Sequence, residues 1–343
     1  MAQGDIYVPN NTRPHWGGVL SDQDQHLELY TGIVDSEFLY TQIFTAFSAQ
    51  RSTESRTNTI RLDRLNKSKV LGRKSGEAIE SQRVTSDKLN IIVEVLLYIR
   101  NPIDDIDAWT APDFVVEMGR NNGSEFALTF DEAHIITLQK ARDFVPPAAV
   151  ADTFHEGIEV GVTLKQTITS VADQEANASA LVVAHGKVVE TLIKRRVPLM
   201  DMVTIVTPEV FTELVNHPKL INKDYVADNG DFAGRRVVKV NGIDIVESTA
   251  FPQAATAVGE HHPLSTTGNN NAFDVTADDL KGEMIVFSKA LSLVTVNAKE
   301  FHSDFWEDKH NKAHVLDCMA MYTVDTRRPD TVGVVLVTRT DTP

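Results

Sequence analysis

The chain has 343 residues, of which 42% are hydrophobic, and a formal net charge of −15. That is length for about two lobes and apolar material for a sizeable core, which excludes wholesale disorder. The acidity excludes free nucleic acid as a partner of the surface as a whole, and the single cysteine, Cys318, excludes an intrachain disulfide.

Residues 1–34 are polar with scattered glycine and proline and read as an extended arm. The opening "MAQGDIYVPNNTRPHWGG" has no basic end followed by an apolar stretch, so it does not read as a secretory signal. No window approaches about 18 uninterrupted apolar residues, so no membrane span is expected. Residues 36–49 place Phe38, Leu39, Ile43, Phe44 and Phe47 on one helical face, with Ser36 as its cap. Residues 57–65 read as a strand. The run "KLNIIVEVLLYIRN" (88–101) reads as one more, with Leu89, Ile91, Val93, Val95, Leu97 and Ile99 on one side. The two strands and the chain between them make a hairpin of about 40 residues, far beyond the usual connection of about 2–5.

Thr110, Pro112 and Asp113 signal a helix start, and the pattern runs to Arg142 before Val145-Pro146-Pro147 stops it. Gly119 and Asn121-Asn122-Gly123 predict a kink or break inside it. A second helix is expected over 172–194, a strand over 201–206, and a third helix after the cap Thr207-Pro208. "RRVVKVNGIDIVES" reads as strand, Asn-Gly turn and strand. Residues 253–272 read as a surface loop, and three apolar stretches after residue 283 supply the last strands. Together these elements make an α+β or mixed α/β fold.

No motif assembles a catalytic centre. His310 and His314 stand four apart, which on a helix would put two imidazoles on one face, and His302 is close by. The glutamate that a common zinc hydrolase needs after the first histidine is replaced by Asn311. A metal-dependent hydrolase using these three histidines is therefore a rival reading, set against a plain polar helix face. His155 and the pair His261-His262 carry no ligand spacing. Cys318 sits in an apolar strand and reads as a small buried side chain.

The stretch "KSKVLGRKSGEA" (67–78) is different. From 51 to 74 the chain carries Arg51, Arg56, Arg61, Arg64, Lys67, Lys69, Arg73 and Lys74 against Glu54 and Asp63, a basic island in an acidic molecule. It reads either as a solvated loop or as a finger that docks on an acidic patch of an identical neighbour, since a long hairpin is poorly stable alone.

Three stretches, "VLGRKSGEAI", "FALTFDEA" (126–133) and "RRPDTVGVVLV" (327–337), together resemble major capsid proteins of short-tailed, T-seven-type tailed bacteriophages, in an order that spans about 25–340. The matching residues are Leu71-Gly72-Arg73, Phe126-Ala127 with Asp131, and Arg328-Pro329-Asp330 with Gly333, where Asp330 stands for the family's usual glutamate. The stretch 200–280 does not match residue by residue.

The resemblance implies the tailed-phage major capsid (Johnson) fold, of the α+β class. It places an N-terminal arm at 1–50, an extended β-hairpin loop at 51–100 and a peripheral domain with a long spine helix at 101–195. An axial domain follows at 196–290, and return strands of the peripheral and axial domains at 291–343. It implies a non-enzymatic shell protein that assembles through pentamers and hexamers in the host cytoplasm and resides in the virion, without cofactor, metal or membrane. Its partners would be itself, a scaffolding protein, a portal protein and enclosed double-stranded DNA bound without sequence specificity. The inter-subunit contact would be made by the extended loop through Arg61, Arg64, Lys67, Lys69, Gly72, Arg73, Lys74 and Gly76. An encapsulin-like bacterial compartment shell, which has the same fold, is the nearest alternative.

Overall fold

A computed structural model of the chain describes residues 42–53, 57–104, 112–217 and 239–341. The arm up to residue 41, the caps Ser36 and Thr110, and the first residues of the "RRVVKV" strand lie outside the described residues. The helix expected over 36–49 is not present where the chain is described. Phe44–Ala46 is a single 3-10 turn, followed by strand β1 (Ala49–Ser52). A burial pattern over so short a segment does not decide between helix and strand. Phe44 is instead fixed from outside, because Asp131 Oδ2 and Oδ1 accept the backbone N–H groups of Ile43 (2.8 Å) and Phe44 (3.1 Å).

Strands β2 (Thr59–Leu65) and β3 (Ser86–Ile92) form a two-stranded antiparallel sheet by themselves. The run read as one strand over 88–101 divides at 93–96 into β3 and β4 (Leu97–Asp104), which belong to different sheets. The alternation survives the division. Ile91, Val93 and Leu97 are buried while Asn90, Ile92, Glu94, Leu96, Tyr98 and Arg100 are exposed. Period-2 burial follows one continuous extended path across both sheets and so gives no sign of the change of partner.

Helix α1 (Pro112–Lys140) runs unbroken for about 43 Å at 1.5 Å per residue. Of the residues that predicted a break, Asn121 is exposed, while Gly119, Asn122 and Gly123 lie on the buried stripe and continue at helical spacing into Phe126, Ala127, Phe130, Asp131 and His134. Asn122 Oδ1 accepts from Asn101 Nδ2 at 2.9 Å, which ties this part of the helix to β4. Tertiary packing outweighs the low helix propensity of these residues. The helix tightens into a 3-10 turn over Ala141–Asp143 and ends, as expected, before the prolines.

Strand β5 (Ile158–Lys165) follows, then α2 (Val171–Lys194), which starts with a capping box. Ser170 Oγ accepts from Asp173 N at 3.3 Å and Asp173 Oδ2 accepts from Ser170 N at 3.1 Å. β6 (Met202–Val206) and α3 (Pro208–Val215) stand where the sequence puts them, with Thr207 capping α3. β7 (Lys239–Val240) and β8 (Ile243–Glu247) are joined by Asn241-Gly242, both at positive φ (52° and 83°), the conformation a two-residue hairpin requires. β9 (Gly282–Ser288), β10 (Leu293–Asp308), β11 (Ala313–Thr326) and β12 (Val332–Thr340) complete the chain.

One sheet has the order β1-β10-β11-β4 and packs one face on α1. The other has the order β5-β12-β9-β6-β8-β7 and is covered on both faces. Val203, Ile205, Ile285, Phe287, Val332 and Val334 join the core shared with α1, while Met202, Val206, Met284, Val286, Val335 and Val337 face α2 and α3. β6 is therefore buried at every residue, the pattern of a central strand. The expected return strands 291–343 divide: β10 and β11 enter the four-stranded sheet, and β12 enters the six-stranded one between β5 and β9. β5 and α2, assigned to the peripheral part on sequence, pack with the six-stranded sheet.

The stretch 253–272 is not wholly on the surface. Leu264 is buried, as is the neighbouring Phe273. Its asparagines serve the turns: Asn269 Nδ2 donates to Leu264 O at 2.7 Å, and Asn270 and Asn271 adopt positive φ.

Candidate inter-subunit interface

The basic finger is the chain between β2 and β3. Past their last paired residues, Leu65 and Ser86, the two sides continue outward to a turn at Lys74–Glu77. Glu77 N donates to Lys74 O at 3.2 Å, and Gly76 takes φ +91°, which any side chain would strain. Gly72 does not have positive φ, so of the finger's two glycines only Gly76 is required by the turn. Rungs hold the sides together: Asn66 N donates to Thr85 O (3.0 Å), and Gln82 pairs with both backbone groups of Lys69. Among the described residues, every hydrogen bond of 68–84 stays within the finger.

The base is tied to the body. Lys67 N donates to Thr153 Oγ1 at 2.8 Å, and Asn66 Nδ2 and Thr85 Oγ1 both donate to Ala149 O. Arg64 has to be taken out of the docking set. It is buried, its Nη2 donates to Thr326 O (3.0 Å) and Arg327 O (3.3 Å), and its guanidinium lies over the rings of Phe144 (5.2 Å) and Phe154 (5.6 Å). Burial holds its pKa below the usual guanidinium value while Asp325 pulls it back. Arg64 anchors the finger to its own chain. Arg61, Lys67, Lys69, Arg73 and Lys74 are exposed.

Two features of the finger were missed on sequence. The return side carries Glu77 and Glu80, so the island is less purely basic than 51–74 suggests. Glu77 Oε2 accepts from Lys74 N at 2.9 Å, and Arg73 Nη1 donates to Glu77 O at 3.0 Å. The finger also holds out apolar side chains. Val70 is fully exposed, Ile79 is 81% exposed, and Leu65, Leu71 and Val84 are exposed too. Their irregular spacing hides them from any periodic test, but a run of apolar residues with no core to join is itself a signal.

The two other resemblance stretches are joints inside the chain. In "FALTFDEA", Phe126 packs edge-on against Phe301 (5.1 Å) and Asp131 holds the amides at 43 and 44. Burial pushes the Asp131 carboxyl up to about 6, against the two amides that favour its anion. His134, one turn on, stacks on Phe44 and spans from Phe130 O (2.6 Å) to Thr295 Oγ1 (2.7 Å); burial lowers its pKa to about 4. In "RRPDTVGVVLV", Arg328 holds Asp330 through two bonds (3.2 and 2.8 Å), and Arg195 Nη1 donates to Asp330 O at 3.0 Å. A Cβ on Gly333 would stand 2.2 Å from Val188 Cγ1, so this glycine sets how closely β12 meets α2.

The three histidines do not share a helix face. Residues 299–318 are a β-hairpin, and its register puts His302 opposite Met319 and His314 opposite Glu307, on opposite faces of the sheet. His302 Nε2 meets Asp304 Oδ1 at 2.8 Å, and His314 is buried against Phe305. Among the described residues no group of three or more His, Cys, Asp or Glu side chains is placed to hold a metal ion, and no helix is long and apolar enough to cross a membrane. Cys318 is buried in β11 as expected.

No family model and no curated protein matches the chain. Solved structures do. The chain is 33% identical to the capsid chain in the asymmetric unit of the bacteriophage PhiM1 mature capsid, over 97% of this chain and 93% of that one, with a TM-score of 0.73. The capsid of cyanophage P-SCSP1u matches at 19% identity over 87% and 89% of the two chains, with a TM-score of 0.69. A virus-like particle from Pyrococcus furiosus shares the fold at 10% identity over 91% and 99%, with a TM-score of 0.51. An anchored finger, a long spine helix and two sheets in this order, together with the PhiM1 match, identify the chain as a member of the bacteriophage major capsid protein family, a shell-forming protein of the tailed-phage capsid fold.

Proposed function

We propose that the chain forms the icosahedral head of a short-tailed, T-seven-like phage, assembling through pentamers and hexamers in the host cytoplasm around double-stranded DNA, with scaffolding and portal proteins as partners. In this reading the two-stranded sheet and finger are the extended loop. The four-stranded sheet with α1 is the peripheral domain, and the six-stranded sheet with α2 and α3 is the axial domain. The observation that carries it is the finger: its base is locked into the body while its tip presents cations and apolar side chains that its own chain leaves uncovered. A neighbouring copy is the surface that completes it. Exposed ion pairs give about 0–1 kcal/mol each, and many copies held on several sides turn such contacts into a stable shell.

Replacing Arg73 and Lys74 by glutamate should leave the unassembled chain folded and stop closed shells from forming, as read by size exclusion and negative-stain microscopy. Normal shells from that variant would refute the docking role. The charge of −15 also suits a container of DNA, since repulsion keeps the wall from gripping its contents. Mapping the inner wall of an assembled shell tests this, and a strongly basic lining would overturn it. A compartment shell of the same fold is the second reading. It rests on a 10% identical match against 33% for the phage capsid, and the nucleic-acid content of purified particles separates the two.

A further inference from the structure

One exposed turn of the six-stranded sheet holds its asparagine in an unusual seat. Asn241 and Gly242 form the two-residue turn of the β7–β8 hairpin, both exposed, at φ 52° and 83°. The Asn241 carboxamide turns inward from this corner, and its Nδ2 donates to His185 Nδ1 of α2 at 3.0 Å. Gly186 lies against the same amide, where a Cβ would stand 3.4 Å from Nδ2. His185 is fully buried, and its other nitrogen, Nε2, lies 2.9 Å from Thr204 Oγ1 of β6. Since Nδ1 accepts, Nε2 carries the proton and donates to the threonine. Burial keeps the imidazole neutral, with its pKa lowered to about 4. One amide therefore ties the outermost hairpin of the sheet to a helix and a central strand.

The same two residues are chemically labile. In an Asn-Gly pair the glycine nitrogen can attack the asparagine side-chain carbon, because glycine puts no side chain in the way. The bond from Gly242 N to Asn241 Cγ forms and the Cγ–Nδ2 bond breaks. Nδ2 leaves as ammonia with the proton of the Gly242 amide, and residue 241 becomes a cyclic imide. Water then opens the ring at either carbonyl. One opening gives aspartate, and the other gives isoaspartate, whose backbone runs through the former side chain. Water is the only co-reactant.

The folded turn bars this step. Ring closure requires the carboxamide to leave His185 and swing onto its own following nitrogen, out of the left-handed conformation of the turn. What holds it back is the hairpin, and the hairpin is lightly held. β7 has two residues, lies at the sheet edge and pairs with β8 alone. The ion pair across the two strands, Lys239 with Asp244 at 2.8 Å, is exposed and adds little. Such an edge opens locally at far smaller cost than the whole fold. Asn122-Gly123 is the contrast. The same pair lies inside α1, with Asn122 buried and bonded to Asn101, so it can react only when the helix comes apart.

We propose that Asn241 is a site of spontaneous deamidation gated by His185: the turn is inert while its amide rests on the imidazole and reacts when the β7–β8 edge opens. The product cannot re-form the contact. Both outcomes put a carboxylate where the donor amide was, facing an acceptor nitrogen, and isoaspartate also lengthens the backbone of a turn that has room for two residues. The modification therefore records how long this edge has spent open, and fixes it open.

The test keeps the full-length chain in mildly alkaline buffer, folded and in urea, and follows residue 241 by peptide mass mapping, which separates it from the pair Asn229-Gly230. Deamidation at 241 should be at least about tenfold slower in the folded chain than in the unfolded one. Equal rates overturn the gating. His185→Leu should bring the folded rate to within about threefold of the unfolded rate. Asn122, unmodified in the same sample, shows that the variant is folded. A reaction that stays slow in that folded variant removes His185 from the gate. A second readout needs no variant. In urea below the unfolding transition, the rate at 241 should rise in step with hydrogen exchange of the peptide spanning 239–247, and ahead of exchange in α1. A rate that follows α1 instead overturns local opening.

Discussion

β6 and the finger are opposite solutions within one chain. All five residues of β6 are buried, between two helices on one side and α1 with its core on the other. The finger residues 67–86 are exposed throughout, and their hydrogen bonds link one side of the finger to the other. The first region is stable because its own chain covers it. The second is held in shape at its root and left unfinished at its tip. Stability and assembly therefore reside in separate parts of the sequence, and substitutions should divide the same way.

The largest effect tests the covered side. Phe287 is fully buried and stacks on Phe44 at 6.0 Å. Phe287→Ala should cost about 3–5 kcal/mol of stability, measured by urea unfolding of the unassembled chain, and should prevent shells only because less chain is folded. Ile79→Ala, at the tip, should leave the unfolding midpoint where it was and lower shell yield. A large stability loss from Ile79→Ala would break the division.

A second test concerns how the arm is joined to α1. The unfolded chain has an ordinary histidine at 134, while in the folded chain burial lowers its pKa to about 4. The unfolded state then binds the extra proton, so stability falls as pH drops from about 6.5 toward 4. One fully buried imidazole with this shift is worth up to about 3 kcal/mol. Burial lowers His185 in the same sense. Asp131 and Asp325, both pushed up to about 6, work the other way: the folded state prefers their protonated form, and their contribution is lost as pH rises through about 4–6. The net slope of the unmodified chain is therefore blunted. His134→Gln should lose less stability than the unmodified chain between pH 7 and pH 4.5, by urea unfolding at both pH values. An equal loss would mean that His134 is not held neutral.

The fold was legible where the signal was local. Capping residues at Thr207, the Asn241-Gly242 turn and the stop before Pro146 each fix a backbone conformation by themselves, and each stands where expected. Legibility failed where the answer depends on what lies across a gap. Nothing in 88–101 says that β3 and β4 have different partners. Nothing near Gly119 says that these positions fall on the buried stripe of a helix. Arg64 reads like its basic neighbours, and it is the rings of Phe144 and Phe154 and the carbonyls of Thr326 and Arg327, all distant in the chain, that make it an internal anchor.

The smallest effect sharpens the comparison most. Gly72 and Gly76 lie four residues apart, and neither has an atom within 4 Å of where a Cβ would go. They differ in backbone alone: Gly76 stands at φ +91° and Gly72 does not have positive φ. Gly76→Ala should therefore strain the tip turn by about 1 kcal/mol, and Gly72→Ala should not. Because no hydrogen bond among the described residues joins the tip to the body, that strain has no route to the core, and both variants should unfold at the same urea concentration as the unmodified chain. Only where a neighbour reads the shape of the turn can the difference register, so shell yield should fall for Gly76→Ala and hold for Gly72→Ala. Identical yields would mean that the tip is read by charge alone, with its conformation free. A shifted unfolding midpoint for Gly76→Ala would mean that the finger lies against its own chain after all.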